Sequence, residues 1–248
     1  EKYYLKKRGE VIVTGASKGI GLAAAKKFCK NKAITYFVSR SGSKDVVEQL
    51  QKENLEAYSY ECDVTDEKQV KEMIEKIISK HSRIDVLVNC AGIVKINKIE
   101  NIPLEDWNEV LASNLTSVFL TCKHVAASMK KNKFGKIINI SSIAGRSKSF
   151  LAGIDYVASK AGIIGFTRQL SSELAPFNIN VNCVAPAQTD TDMLRSVLPK
   201  EDDEEFKKRI PIGRIATPED VGNVIYFLAT EEARHIAGAI IDVNGGQL

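Results

Sequence analysis

At 248 residues the chain is long enough for one α/β domain or two small ones, and its 44% hydrophobic content can fill a sizeable core. Its net charge is only +4, with Lys and Arg mixed among Asp and Glu. That excludes the concentrated basic face needed to track nucleic-acid phosphates, so no nucleic-acid partner is expected. No apolar run approaches the ~18 residues of a membrane span. Only Val11-Ile12-Val13 follows the basic Lys6-Lys7-Arg8, too short for a signal-peptide core, and the basic cluster reads as solvated. Five scattered cysteines without a C-x-x-C pair and three isolated histidines suggest neither a disulfide framework nor a metal site. A soluble, cytoplasmic protein with reduced thiols is expected.

Short β-branched runs alternate with helix-period segments along the whole chain. Strands are predicted at residues 11–14, 35–39, 57–62, 86–89, 136–140, 180–184 and 239–243. Helices are predicted at 20–30, 45–53, 67–80, 104–131, 156–174 and from 218 to 229. The fourth of these is continuous and starts behind Pro103; the last is capped at Thr217. Residues 189–209 form a polar, charge-rich interruption. Alternation with short connections predicts an α/β architecture in one domain spanning 1–248: a doubly wound parallel sheet of about seven strands with helices on both faces.

Three places in this pattern carry chemistry. Thr14-Gly15-Ala16-Ser17-Lys18-Gly19-Ile20-Gly21 joins the first strand to the first helix. Glycines there let the backbone approach a diphosphate, and the helix N-terminus offers it free N–H groups. Tyr156 and Lys160, four residues apart, sit on one helix face, where an ammonium favours the phenolate and lowers the tyrosine pKa. Tyr3 and Lys7 share that spacing without the context. Ser142 ends an apolar strand just upstream and can bond the same oxygen, with Ser141 as its competitor.

With its TGxxxGxG pattern the chain resembles the short-chain dehydrogenase/reductase family, and the resemblance runs from Val11 to the terminal Val243-Asn244-Gly245-Gly246. Asn89-Cys90-Ala91-Gly92 resembles the family's NNAG, with Cys90 replacing the second asparagine. Asn114, Ser142, Tyr156 and Lys160 match its catalytic residues. The resemblance implies a Rossmann fold in which Tyr156 exchanges the proton, Ser142 polarises the carbonyl and Lys160 holds the tyrosine pKa down and bonds the nicotinamide ribose. It also implies that Asn114 holds a relay water. Cofactor contacts are expected from Gly15, Ser17, Lys18, Gly19, Ile20, Gly21, Asp63, Val64, Asn89, Ala91, Gly92, Tyr156 and Lys160. Pro186-Ala187-Gln188-Thr189-Asp190-Thr191 resembles the family's PGxxxT, whose Pro186, Thr189 and Thr191 would hold the carboxamide; Ala187 replaces a glycine.

The second strand ends in Ser39-Arg40-Ser41, with no carboxylate for a ribose 2′-hydroxyl. Arg40 and Lys18 therefore favour NADP(H) over NAD(H) by charge complementarity. The expected activity is NADPH-dependent reduction of a small-molecule carbonyl, with a 3-oxoacyl thioester leading, free or carrier-bound. β-Ketoacyl-acyl carrier protein reductases are the nearest in look. A sugar, polyol or sugar-acid-precursor dehydrogenase is the alternative, and a non-catalytic dinucleotide-sensing module a third reading. Lys95, Arg146 and Lys148 are placed at the pocket mouth, and Lys130, Lys131 and Lys133 form a candidate carrier patch. An acidic run, 201–205, lies in a lid at 189–210. A homotetramer or dimer is expected from the resemblance.

Overall fold

The structure is a computed structural model and describes residues 9–248. The Lys6-Lys7-Arg8 cluster and the Tyr3/Lys7 pair lie outside the described residues. Seven parallel strands form one sheet in the order β3-β2-β1-β4-β5-β6-β7. They are β1 (Glu10–Thr14), β2 (Ile34–Ser39), β3 (Ala57–Glu61), β4 (Val86–Asn89), β5 (Gly135–Ile140), β6 (Ile179–Pro186) and β7 (Ile240–Val243). In register, Val11 to Thr14 stand beside Val86 to Asn89 of β4.

Near-continuous apolar strands require cover on both faces. On one face Val11, Val13 and Phe37 pack with α1 (Gly19–Lys30), α2 (Lys44–Lys52) and α10 (Pro218–Leu228) through Phe28, Leu50 and Ile225. On the other, Ile12, Leu87 and Ile137 meet α3 (Glu67–His81), α5 (Ser117–Asn132) and α7 (Ile154–Leu174) through Ile74, Val125 and Ile163. The α10 cap is a full capping box between Thr217 and Asp220.

Strand order reverses between β1 and β4, which opens the crevice at their carboxyl ends where open α/β sheets bind ligands. The segment predicted as one helix over 104–131 is instead α4 (Leu104–Leu111), a π turn (Ala112–Thr116) and then α5. Two short helices, α6 (Ile143–Arg146) and α8 (Asp192–Arg195), and a third, α9 (Asp203–Lys207), complete the chain. Residues Leu194, Leu198, Ile210 and Ile215 build a small separate core above the crevice, with Leu151 packed against it. Among the described residues no helix is long and apolar enough to cross a membrane.

Candidate active site

A cavity of about 510 Å³ fills the crevice and is lined from the glycine loop at one end to α8 at the other. That volume lies in the range of small-molecule sites. Gly15 has φ +66°, and a Cβ there would lie 2.8 Å from the Ala91 backbone, so only glycine fits. Thr14 Oγ1 accepts from Cys90 N at 3.1 Å and Ala91 N at 3.2 Å, fastening the two loops that flank the crevice. Helix α1 has no side-chain cap and no acidic residue in its first turn, so its leading N–H groups remain available to an anion.

Ser142, Tyr156 and Lys160 all line this cavity. Ser142 Oγ accepts from Ala144 N at 3.1 Å as the cap of α6, and its hydroxyl favours the Tyr156 phenolate. Ser141, its competitor, also lines the cavity but is buried, and its Oγ donates to the Lys160 carbonyl at 2.7 Å. Lys160 Nζ donates to Ile140 O at 2.9 Å and stands 5.6 Å from the Tyr156 ring centre. Desolvation pushes the Tyr156 phenol up to about 12; the Ser142 hydrogen bond works against this and Cys90 with it. Burial also drives the Lys160 ammonium down. In the protein's own field burial dominates, weakening the charged forms of both Tyr156 and Lys160.

The comparisons with known proteins agree with this geometry. Residues 15–247 match the family model described as Enoyl-(Acyl carrier protein) reductase. Over 246 residues, 98% of each chain, the protein is 39% identical to 3-oxoacyl-[acyl-carrier-protein] reductase FabG of Aquifex aeolicus (strain VF5). The chain belongs to the short-chain dehydrogenase/reductase family. It is 41% identical over 240 residues, 96% of each chain, to the reductase of the same name from Chlamydia pneumoniae. Among solved structures, the 3-oxoacyl-[acyl-carrier protein] reductase from Brucella melitensis ATCC 23457 superposes with a TM-score of 0.91 at 32% identity. That match covers 98% of this chain and 92% of that one. The crystal structure of gox2181 gives 0.93 at 30%, covering 97% and 96%. As a short-chain dehydrogenase/reductase the protein is an oxidoreductase that uses a nicotinamide dinucleotide.

Most of the expected short-chain dehydrogenase/reductase contacts line the one cavity: Gly15, Ser17, Lys18, Gly19, Ile20, Gly21, Arg40, Asp63, Val64, Ala91, Gly92, Pro186, Thr189 and Thr191. Arg40 has no ion-pair partner among the described residues, while Lys18 Nζ is 3.3 Å from Asp192 Oδ2 at the exposed surface. Asp63 is turned inward on its own loop, accepting from Thr65 N and Oγ1. The Ala187 backbone avoids the left-handed region, and its N–H donates to Val243 O at 3.0 Å, so the missing glycine costs nothing there.

Two residues sit behind the wall instead of on it. Asn89 is buried; its Nδ2 donates to Asn139 Oδ1 at 2.9 Å, and its Oδ1 accepts from Thr121 Oγ1 at 2.7 Å. It holds β4 to its neighbours and does not line the cavity. Asn114 is fully buried, with Oδ1 accepting from Ile93 N (2.8 Å) and Nδ2 donating to Ile93 O and Ser159 Oγ (3.0 Å each). Both of its N–H groups are thus engaged by protein groups, which leaves a second acceptor site on Oδ1.

The basic mouth is also corrected. Lys95 Nζ bonds Asp106 at 2.7 Å and Glu109 at 2.5 Å, Arg146 pairs with Asp242 at 3.0 Å, and none of Lys95, Arg146 and Lys148 lines the cavity. Desolvating a cation is cheaper beside a carboxylate, and Asp106, Glu109 and Asp242 do not line the cavity. The acidic run in the lid is partly neutralised: Asp203 by Arg195, Glu204 by Lys207 and Glu205 by Arg209. Lys130 lies 4.8 Å from the Phe177 ring, past the far end of α7 from Tyr156. A 21-residue helix separates them, a span of roughly 30 Å, so that patch does not flank this chain's own cavity.

Ser159 was not legible as a site residue. Its Oγ links Asn114 to the Tyr156 carbonyl, to which it donates at 2.7 Å. Its only sequence signal is a position three residues after Tyr156, next to it on the helix face. Asp155, which accepts from Tyr156 N at 2.8 Å, is equally invisible until the first turn of α7 is in place.

Proposed function

We propose that this protein reduces the keto group of a 3-oxoacyl thioester with NADPH, carried in the cell on an acyl carrier protein. The observation that carries the reading is the polarity of the cavity. Its dinucleotide end holds Lys18 and Arg40, its middle holds Ser142 and Tyr156, and its far wall is Ile93, Val94, Leu151, Met193, Leu194 and Val197. A sugar or sugar acid would lose its water to that wall without gaining hydrogen bonds, whereas an acyl chain gains from burial. The names of the Aquifex and Chlamydia relatives support the same substrate class.

Arg40 at the end of β2 supports NADPH, since a 2′-phosphate would meet a guanidinium there with no competing carboxylate on that turn. The free N–H groups of α1 would hold the diphosphate. When bound, NADPH supplies the hydride. The protein's own residues then manage one oxygen. Ser142 and Tyr156 converge on the keto oxygen, Ser142 stabilising the charge that develops and Tyr156 delivering the proton. With its pKa near 12, Tyr156 is in the acid form at neutral pH, which suits reduction. Lys160, fixed on Ile140 O, would meet the ribose and return a proton to the tyrosine.

The whole chain reads as one dinucleotide-binding domain with a substrate lid at 189–210. Exposed Phe119 on α5 supports contact between copies in a dimer or tetramer, and reduced thiols fit a cytoplasmic setting. The convergence of Ser142, Tyr156 and Lys160 on one cavity argues against a sensor without turnover. Purified protein with NADPH should consume acetoacetyl thioesters, free and carrier-bound, and leave sugar acids and polyols untouched. Turnover of a 2-enoyl thioester in preference to the 3-oxo compound would instead favour the activity named in the matched family description.

A further inference from the structure

Eleven large apolar side chains are exposed among the described residues, and five fall on two loops that touch. Ile96, Ile99 and Leu104 lead into and begin α4; Phe150 and Ile154 lie before and at the start of α7. Each is between 49% and 79% exposed. The loops are joined where Gly153 N donates to Lys95 O at 3.0 Å, and Asn97 Nδ2 reaches Asp106 Oδ2 at 3.4 Å to hold the first loop on α4. A shared apolar rim of this kind marks a binding surface more often than chance exposure does.

The rim is continuous with the cavity. Ile93 and Val94 line the cavity just before Ile96 in the chain, and Ser149, Leu151 and Ala152 line it around Phe150. Two nearby cations are withdrawn: Lys95 is held by Asp106 and Glu109, and Arg146 by Asp242. Apolar side chains therefore lead from the wall of the catalytic cavity to Phe150 and Ile154, with Lys148 Nζ 5.4 Å from the Phe150 ring centre.

We infer that this rim is a subsite for the distal methylenes of the acyl chain, making Phe150 and Ile154 specificity-determining residues for long substrates. The inference rests on the thioester reading above. A chain whose keto carbon sits beside Tyr156 leaves the cavity between Val94 and Leu151 and lies on the rim, so each added methylene is withdrawn from water. Burial of a methylene corresponds to about fourfold in affinity when complete, and roughly twofold when one side stays wet.

The test uses 3-oxoacyl thioesters of N-acetylcysteamine with four to ten acyl carbons, and the saturated decanoyl thioester as a ligand that cannot be reduced. In the wild type kcat/KM should rise about twofold to fourfold per methylene beyond six carbons. The double variant Phe150→Ser, Ile154→Ser should flatten that rise and weaken calorimetric binding of the decanoyl thioester by about tenfold or more, with NADPH binding retained. A wild-type profile that does not depend on chain length overturns the subsite. So does an unchanged slope in the variant, and if the variant's oligomer also dissociates, the rim is a contact between copies. Decanoyl binding that depends on Phe150 and Ile154, without turnover of any 3-oxo thioester, would keep the subsite and defeat the proposed reaction.

Discussion

Asn114 Nδ2 lies 3.0 Å from Ser159 Oγ, which in turn donates to the carbonyl of Tyr156 at 2.7 Å. This short chain of bonds ties the π turn between α4 and α5 to the first turn of α7, and so to Tyr156. π turns inside helices recur at functional sites because the extra residue re-aims a side chain. Here the side chain is Asn114, which also takes both backbone groups of Ile93. Ser159→Ala should strand one buried Asn114 N–H, at about 1–3 kcal/mol. For a chain of this size that is a fall of about 2–4 °C in Tm per kcal/mol. Calorimetry should show that loss together with reduced kcat, and Ser159→Thr should restore part of both.

Tyr156→Phe should lower turnover by about 10²–10⁴-fold, the usual weight of a positioned general acid. NADPH binding, followed by cofactor fluorescence, should survive. The tyrosine is protonated at every pH well below about 12. The rate of reduction should therefore stay level from about pH 6 to about pH 9, whereas oxidation of the 3-hydroxy product, which needs the phenolate, should climb about tenfold per pH unit while that form is scarce. Opposite pH trends would show that a different group moves the proton.

Arg40→Ala should reduce the preference for NADPH over NADH by about 10–100-fold. That is the worth of one charge-assisted contact to a phosphate, about 1.5–3 kcal/mol. The change should appear in the KM and Kd of NADPH and leave those of NADH nearly constant. An unaltered ratio would move the phosphate contact to Lys18, whose present partner is Asp192.

Glu10 and Asp85 are buried together at the other end of β1, sharing Arg83. Burial, then the hydrogen bond and charge of Asp85, push the Glu10 carboxyl up to about 8 from 4.5; Arg83 pulls the other way. Between those values the folded chain keeps a proton that the unfolded chain has released. Stability must then fall as pH rises through that window and level off above it. Glu10→Gln should remove this slope, so urea midpoints at about pH 5 and about pH 9 should converge for the variant and differ for the wild type.

Elements whose pattern is local were legible before any coordinates. The β1 turn could be read because glycine is needed where φ is positive and a backbone also closes to 2.8 Å, and Gly15 meets both conditions. The inner strands could be read because a sheet covered on both faces needs apolar runs, as in β1, β4 and β5. Ser142, Tyr156 and Lys160 could be named because helix spacing and a strand end set their relative positions. The helix read through 104–131 was less legible, since nothing within it announces that Ile93 and Ser159 will take the Asn114 side chain and open a π turn.

Charges were the hardest to place. Lys95 looked free at the pocket mouth, yet it is bound by carboxylates 11 and 14 residues later, and Arg146 by one on β7. Asn89 looked like a cofactor contact, yet Asn139 and Thr121 draw it behind the wall. By itself the sequence determined the order of elements, the glycine turn after β1 and the helix that carries Tyr156 and Lys160, because each depends on a few neighbouring residues. The tertiary structure alone decided which polar groups are already satisfied and which wall of the cavity is apolar, since a side chain's partner is whichever group folding brings within 3 Å.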